Sequence, residues 1–383
     1  MTELKANKKK TGKKNFVKFL AVLIIAVFGF FFGAFISEYI GNGERSTGEY
    51  LLSLAGILLA LYLAIFLQII LHELGHLIFG MMTGYQFSSF RIGSFMWVKQ
   101  DEVIKLRRLS IAGTGGQCLM APPDMKDGKI PYVLYNLGGS IVNILSAAVF
   151  MGLFFLSREF QFTSALFLII SMIGTFFALT NGIPLQLGTV NNDGHNALSL
   201  GKNSEAMRAF WIQLKVSELN TKGVRIKDMP EEWFAMPSPQ SMKNSLVSVI
   251  GVFICNRLMD AMEFKIADQT MEELLKMDTG MVGLHRSLLM VDRIYCELVS
   301  ENRQEILDEM LDRNQKKLMK AMKNYPSILR TEYAYALLSQ KDSLKADKIK
   351  AAFEKIAASY PYPQEIGSER ELMAFAEQIK ITL

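Results

Sequence analysis

Cysteine and histidine are scarce in this 383-residue chain, and both shortages narrow what it can be. The three cysteines, Cys118, Cys255 and Cys296, are scattered without pairing spacing. That excludes a disulfide framework or a cysteine zinc knuckle and leaves ordinary reduced thiols. Only four histidines occur, His72, His76, His195 and His285, so any histidine-bearing metal centre must draw on them. Charge is missing over long stretches of the first 200 residues, which speaks against a water-soluble globule there.

What charge there is falls unevenly. The net charge of +5 owes much to the first 18 residues, which hold seven lysines against one glutamate. A basic tail of this kind suits an anionic membrane surface better than a nucleic-acid groove, so no nucleic-acid partner is expected. It also keeps an N-terminus in the cytosol.

Four uncharged runs are long enough to span a bilayer, whose hydrocarbon core takes about 20 helical residues. They are Phe19 to Ile36, Tyr50 to Leu71, Tyr132 to Leu156, and a run from Phe162 that stays uncharged until Asp193. The first reads as a retained anchor, because no small-x-small cleavage site follows it. Asn181, Gly182 and Pro184 should end the fourth helix early. Leu246 to Cys255 is too short to span and reads as a buried core helix. The connection 83–131 carries seven basic residues, whereas 41–49 and 157–161 carry one each, Arg45 and Arg158. The positive-inside rule therefore puts both termini and 83–131 in the cytosol, in a multi-pass cell-membrane protein. Within 83–131, "FSSFRIGSFMWVKQ" has strand-like alternation; a small sheet at the membrane face and a tethered loop both fit it.

The stretch "IILHELGHLIFGMM" (Ile69 to Met82) places His-Glu-x-x-His at the inward end of the second run. Residues i and i+4 share a helix face, so His72 and His76 can present two imidazoles to one ion. Glu73 projects beside them, placed to act as general base on a metal-activated water. An ionisable cluster within a span is a functional-site hypothesis by default. The bland alternative is a polar, interfacial helix end. A catalytic zinc takes a third protein ligand, and Asp193, at the cytosolic end of the fourth run, is the candidate, with His195 beside it. Asp193 before Gly194 is equally an ordinary turn residue. His285 reads as a plain helix residue.

This combination resembles the site-2 protease family of intramembrane zinc metalloproteases. The matching pieces are His72-Glu73-Leu74-Gly75-His76, then Asn181-Gly182-Ile183-Pro184, then Asp193-Gly194. The third run adds Gly139-Ser140-Ile141-Val142-Asn143, with Ser140 where the family usually has proline. The resemblance covers about residues 50–200. It implies one zinc per chain held by His72, His76 and Asp193, with Glu73 catalytic, acting on membrane-embedded peptide or protein substrates. Eight residues separate Pro184 from Asp193, more than in the compact family pattern, which leaves His195 as an alternative ligand. Asn143 and Asn181 either join helices by hydrogen bonds or hold the substrate backbone or oxyanion.

From residue 201 the chain reads as soluble α-helical hairpins, loosely tetratricopeptide-like but without a clean period. The stretch "VRIKDMPEEWFAMPSPQS" looks like a linker with three prolines and an exposed tryptophan. Such a domain binds a protein partner, covers an active site or simply packs. The expected architecture is mainly α: a tail over 1–18, a four-span helical bundle over 19–200 with a small strand-containing loop, and a helical domain over 201–383. The expected activity is zinc endopeptidase cleavage of transmembrane or signal-peptide-like segments. Two competing readings are a non-catalytic membrane protein that binds a peptide or partner, and a metal transporter. An intact Glu73 argues against a pure binder, and four spans make a thin transporter.

Overall fold

The computed structural model describes residues 2–41, 46–111, 114–187 and 190–382. Arg45, one of the charges used for orientation, lies outside them. Among the described residues, four helices are long and apolar enough to cross a membrane. They are α1 (Thr2–Gly41), α2 (Thr47–Met82), α3 (Val133–Leu156) and α4 (Gln161–Gly182).

Local chemistry sets their ends. Ser46 and Glu49 form a reciprocal capping box at the start of α2, satisfying two of the donors a helix leaves unpaired there. Helix α4 stops at Gly182, with Ile183 extended ahead of Pro184, as a residue preceding proline prefers. Between the helices lies a core of Ala60, Ala64, Ile169, Ile170 and Ile173. Leu58, Leu59, Tyr62, Ile144, Leu145 and Val149 point outward, the arrangement of helices whose outer solvent is hydrocarbon. Gly75 and Gly138 let α2 and α3 touch backbone to backbone. A Cβ on Gly75 would lie 2.2 Å from the Gly138 carbonyl oxygen, so neither position accepts a side chain.

The strand-like stretch forms a sheet. Strands β1 (Gln86–Ile92), β2 (Phe95–Gln100), β3 (Val103–Arg108) and β4 (Gly116–Ala121) lie in the order β3-β2-β1-β4. The first three pair antiparallel, with Phe90 opposite Trp97 and Trp97 opposite Leu106. After α4 come the short pair β5 (Gln186–Leu187) and β6 (Val190–Asn191), then α5 (Asp193–Ser199).

The remaining helices are α6 (Ser204–Thr221), α7 (Ser245–Asp260), α8 (Phe264–Lys276), α9 (Gly283–Val299), α10 (Gln304–Met310), α11 (Arg313–Ala321), α12 (Pro326–Ala334), α13 (Ser343–Ala357) and α14 (Pro363–Thr382). Helices α7 to α14 share one core containing Cys255, Met271, Leu289, Ile294, Ile328, Ala334, Phe353 and Ala376. The expected core helix 246–255 lies within α7, from its second residue onward. The chain divides into two compact units: residues 1–86, 113–118 and 130–203, and residues 87–112, 119–129 and 204–383. Most of 83–131 thus groups with the C-terminal helices. Met96, Val98 and Leu109 pack with Tyr360 and Tyr362, and Gln100 Nε2 donates to the Pro361 carbonyl at 2.7 Å. The expected exposed tryptophan is a correction. Trp233 is 9% exposed because it packs edge-on against Trp211, with ring centroids 5.4 Å apart.

Candidate metal centre

His72 and His76 sit one turn apart on α2, with Glu73 next to His72. All three are buried. His76 Nδ1 lies 2.7 Å from the Tyr135 carbonyl oxygen on α3. A carbonyl can only accept, so Nδ1 carries the proton and Nε2 presents a lone pair. His72 is oriented by the same logic one step removed. Asn143 Nδ2 donates to the Gln68 carbonyl at 3.1 Å and to Gln68 Oε1 at 2.7 Å. That sets the amide so that its Oδ1 accepts from His72 Nδ1 at 2.7 Å.

Both free lone pairs therefore point the same way. His72 Nε2 and His76 Nε2 are 3.1 Å apart, and Asp193 Oδ2 lies 3.1 Å from the first and 3.4 Å from the second. Two lone pairs and a carboxylate oxygen this close repel unless positive charge sits among them. Tetrahedral zinc with bonds of about 2.0–2.1 Å has ligand-to-ligand edges of about 3.3–3.4 Å, so the donor set fits the ion in type and in spacing.

Asp193 is delivered by the first residue of α5, and the residue before it does the anchoring. Asn192 caps α5, its Oδ1 accepting from His195 N at 2.9 Å and from Leu185 N at 3.0 Å. Its Nδ2 donates to the carbonyls of Thr180 and Ile183 at 2.7 and 2.6 Å. One side chain thereby ties α5 to the end of α4. Gly194 rests against the Gly182 carbonyl, where a Cβ would come within 2.1 Å. The extra residues between Pro184 and Asp193 are taken up by the β5–β6 pair, which lets the longer connection still place Asp193 at the imidazoles.

Glycines also shape the space around the reactive groups. A Cβ on Gly116, at the start of β4, would lie 2.7 Å from Glu73 Oε1, so a bare strand backbone runs past the carboxylate. A Cβ on Gly139 would meet His72 Nδ1 at 2.5 Å. Any larger residue at either position displaces Glu73 or His72.

Of the residues singled out in the sequence, the structure brings His72, His76 and Asp193 into one group. His195 stays outside that group, and His285 lies on α9 among the C-terminal helices. Asn143 is fully buried between α2 and α3, its bonds going to His72 and Gln68. Asn181 Nδ2 donates to Phe177 O within its own helix at 3.0 Å. Sequence reasoning passed over Gln68, Tyr135, Asn192 and Gly116. Gln68 left one signal, an amide one turn before His72 in an otherwise apolar run.

A model described as peptidase family M50 matches residues 60–346. The chain belongs to this family. The match starts within α2 and runs into α13, so it takes in the metal centre and most of the C-terminal helices. No curated protein and no solved structure matches the chain. Membership in peptidase family M50, the site-2 protease family, implies an intramembrane metalloprotease. M50 peptidases are zinc-dependent, in accord with the His-His-Asp donor set.

Proposed function

We propose that this M50 peptidase is a zinc metalloendopeptidase that hydrolyses peptide bonds in transmembrane or signal-peptide-like segments. The observation that carries the reading is the convergence of His72, His76 and Asp193, with Glu73 on the same helix beside them. His72 and His76 would hold zinc through Nε2, and Asp193 through Oδ2. Zinc, when bound there, lowers the pKa of water to about 7 and polarises the scissile carbonyl.

The chain's own groups do the rest. Glu73 takes the proton from the attacking water and passes it to the leaving amine. Asn143 and the Tyr135 carbonyl hold the two imidazoles in the tautomer that leaves Nε2 free. Asn192 keeps Asp193 at the imidazoles. The substrate helix must unwind locally, since its carbonyls are otherwise engaged in its own hydrogen bonds. Asn143, occupied by His72 and Gln68, acts as a positioning residue.

The basic residues of 83–131 and the lysine-rich first 18 residues support cytosolic termini, with the metal centre near the cytosolic face. Single-span reporters built from signal peptides, co-expressed with the wild type and with Glu73→Gln, test the reading. Cleavage by the wild type alone, with zinc retained in both proteins, is expected. Equal processing by Glu73→Gln would overturn it and favour a binding protein.

A further inference from the structure

The C-terminal helical unit encloses a cavity of about 360 Å³ between α6, α7, α9, α12 and α14. That volume lies in the range of small-molecule sites. It belongs to this unit alone and is separate from the metal centre. Its lining is unusual for the middle of a helical array because it holds six charged side chains.

The signs do not balance. Asp260, Asp292, Glu365 and Glu369 face Arg225 and Arg330, four carboxylates against two guanidiniums. Both arginines are already engaged. Arg225 pairs with Asp260 and with Glu371, each at 2.5 Å. Arg330, 1% exposed, pairs with Asp292 at 2.5 Å and stacks over the Tyr295 ring. Among the described residues Glu365 has no cationic partner; it accepts from the Tyr360 hydroxyl at 3.1 Å and from Asn220 Nδ2 at 3.2 Å. Glu369 Oε2 lies 3.2 Å from Arg330 Nε, yet the geometry is such that neither atom makes a hydrogen bond.

Hydrogen-bond capacity tells the same story. Gln364 Oε1, Glu369 Oε2 and His285 Nδ1 are buried without a hydrogen-bond partner, and all three residues line this cavity. The two oxygens are acceptors, and His285 Nδ1 accepts in one of its neutral tautomers; buried polar atoms left unsatisfied are costly, and a native structure keeps them where something else completes the site. A carboxylate excess together with surplus acceptors calls for a donor-rich cation. Phe253, Val249 and Leu288 supply an apolar flank for an aliphatic stem. Glu365 and Glu369 stand one turn apart on α14, on one face, where a single cationic head group can bridge them. Burial pushes both carboxyls up to about 7, and for Glu369 the neighbouring Arg330 offsets that rise only in part.

We propose that this cavity binds an organic cation, an ammonium or guanidinium group on an alkyl chain. Free polyamines and the lysine or arginine side chains of a peptide share that chemistry. The site does not depend on the peptidase reading.

Titration calorimetry on the full-length, detergent-purified protein tests it, with spermidine, N-acetyl-lysinamide and N-acetyl-argininamide as probes. N-acetyl-norleucinamide and added sodium chloride serve as neutral and ionic-strength controls. Saturable binding of at least one cation is expected, with no binding of the neutral analogue. A tenfold or greater loss is expected in Glu365→Gln/Glu369→Gln. Spermidine as the tighter ligand would identify a polyamine site, and the amino-acid amides a peptide site. Phe253→Trp narrows the cavity without changing its charge and should weaken binding too, which covers a double variant that fails to fold. Absence of saturable binding, equal binding of the norleucine analogue, or full binding in the variants would overturn the proposal.

Discussion

Asn143 offers the sharpest test of how the metal centre is held. Its Oδ1 fixes His72, and its Nδ2 occupies both the carbonyl and the Oε1 of Gln68, all in a position with no solvent exposure. Asn143→Ala removes the orienting partner of one zinc ligand, and losses of this kind typically cost 10–100-fold in metal affinity, or about 1.4–2.7 kcal/mol. It also strips a donor from two buried Gln68 acceptors, for a further destabilisation of about 1–3 kcal/mol. Asn143→Asp separates the two effects. A carboxylate still accepts from His72 Nδ1, and more strongly, but cannot donate to Gln68.

Zinc affinity measured by chelator competition, alongside thermal unfolding of the detergent-purified protein, reads both effects. Asn143→Ala should lose affinity and stability together, whereas Asn143→Asp should keep the wild-type zinc affinity and lose only stability. An Asn143→Ala protein with unchanged zinc affinity would refute the orienting role. Equal loss of zinc in both variants would show that the bonds to Gln68, and not the one to His72, are what the site needs.

The other tests address the third ligand, the helix contact and the charged cavity. Zinc content should fall from one per chain to well below one in Asp193→Ala and stay near one in His195→Ala; the reverse pattern would reassign the ligand. Gly75→Ala drives a methyl to 2.2 Å from the Gly138 carbonyl, and overpacking of this kind costs about 1–3 kcal/mol. Its thermal midpoint should drop, and an unchanged midpoint would mean that α2 and α3 do not meet there. Glu365, raised from 4.5 to about 7, contributes stability that is full below pH 4.5 and is lost as pH rises through 7. That shift corresponds to on the order of 3 kcal/mol. Glu365→Gln should therefore stabilise the helical unit at pH 8 and change it little at pH 5. The facing charges of Glu369, Asp260, Asp292, Arg225 and Arg330 remain in place, as do His285, Tyr325 and Tyr360. A stability difference independent of pH would contradict the burial argument.

The parts of the site carried by covalent spacing were legible in the sequence. His72, Glu73 and His76 share a helix, so their mutual placement follows from the helical repeat alone. The end of α4 followed from Asn181, Gly182 and Pro184, while the alternation in 87–100 fitted both a sheet and a tethered loop and covers only β1 and β2 of the sheet that forms. What escaped depends on contacts between segments far apart in sequence. Gln68 looks like one tolerated amide until α3 brings Asn143 and Ser146 against it. Gly116 looks like a turn glycine until Glu73 is found against its backbone. Asn192 sits next to the ligand candidate, yet its four bonds to the end of α4, Leu185 and His195 exist only once the chain has folded back. Trp233 read as exposed because its neighbours are prolines and acids; its partner Trp211 lies 22 residues earlier on α6.

The polar groups in the three helices around the site carry a heavy burial cost only when taken singly. Gln68 Nε2 donates to Ser146 Oγ at 2.8 Å and to the Ile170 carbonyl on α4 at 3.2 Å, while its Oε1 accepts from Asn143. Asn143 passes the chain on to His72, and His72 to the shared donor set with His76 and Asp193. The network thus runs from α4 through α2 and α3 to the imidazoles, and it ends on the cluster of lone pairs that a cation would occupy. In an apolar surround, where a missing partner is expensive, such a network has one low-energy arrangement. The bundle can therefore hold the metal ligands in place although its outward-facing residues are largely aliphatic and aromatic. It also follows that the site's rigidity comes from Gln68 and Asn143 as much as from the histidines, because these amides join the helices that the ligands alone would not.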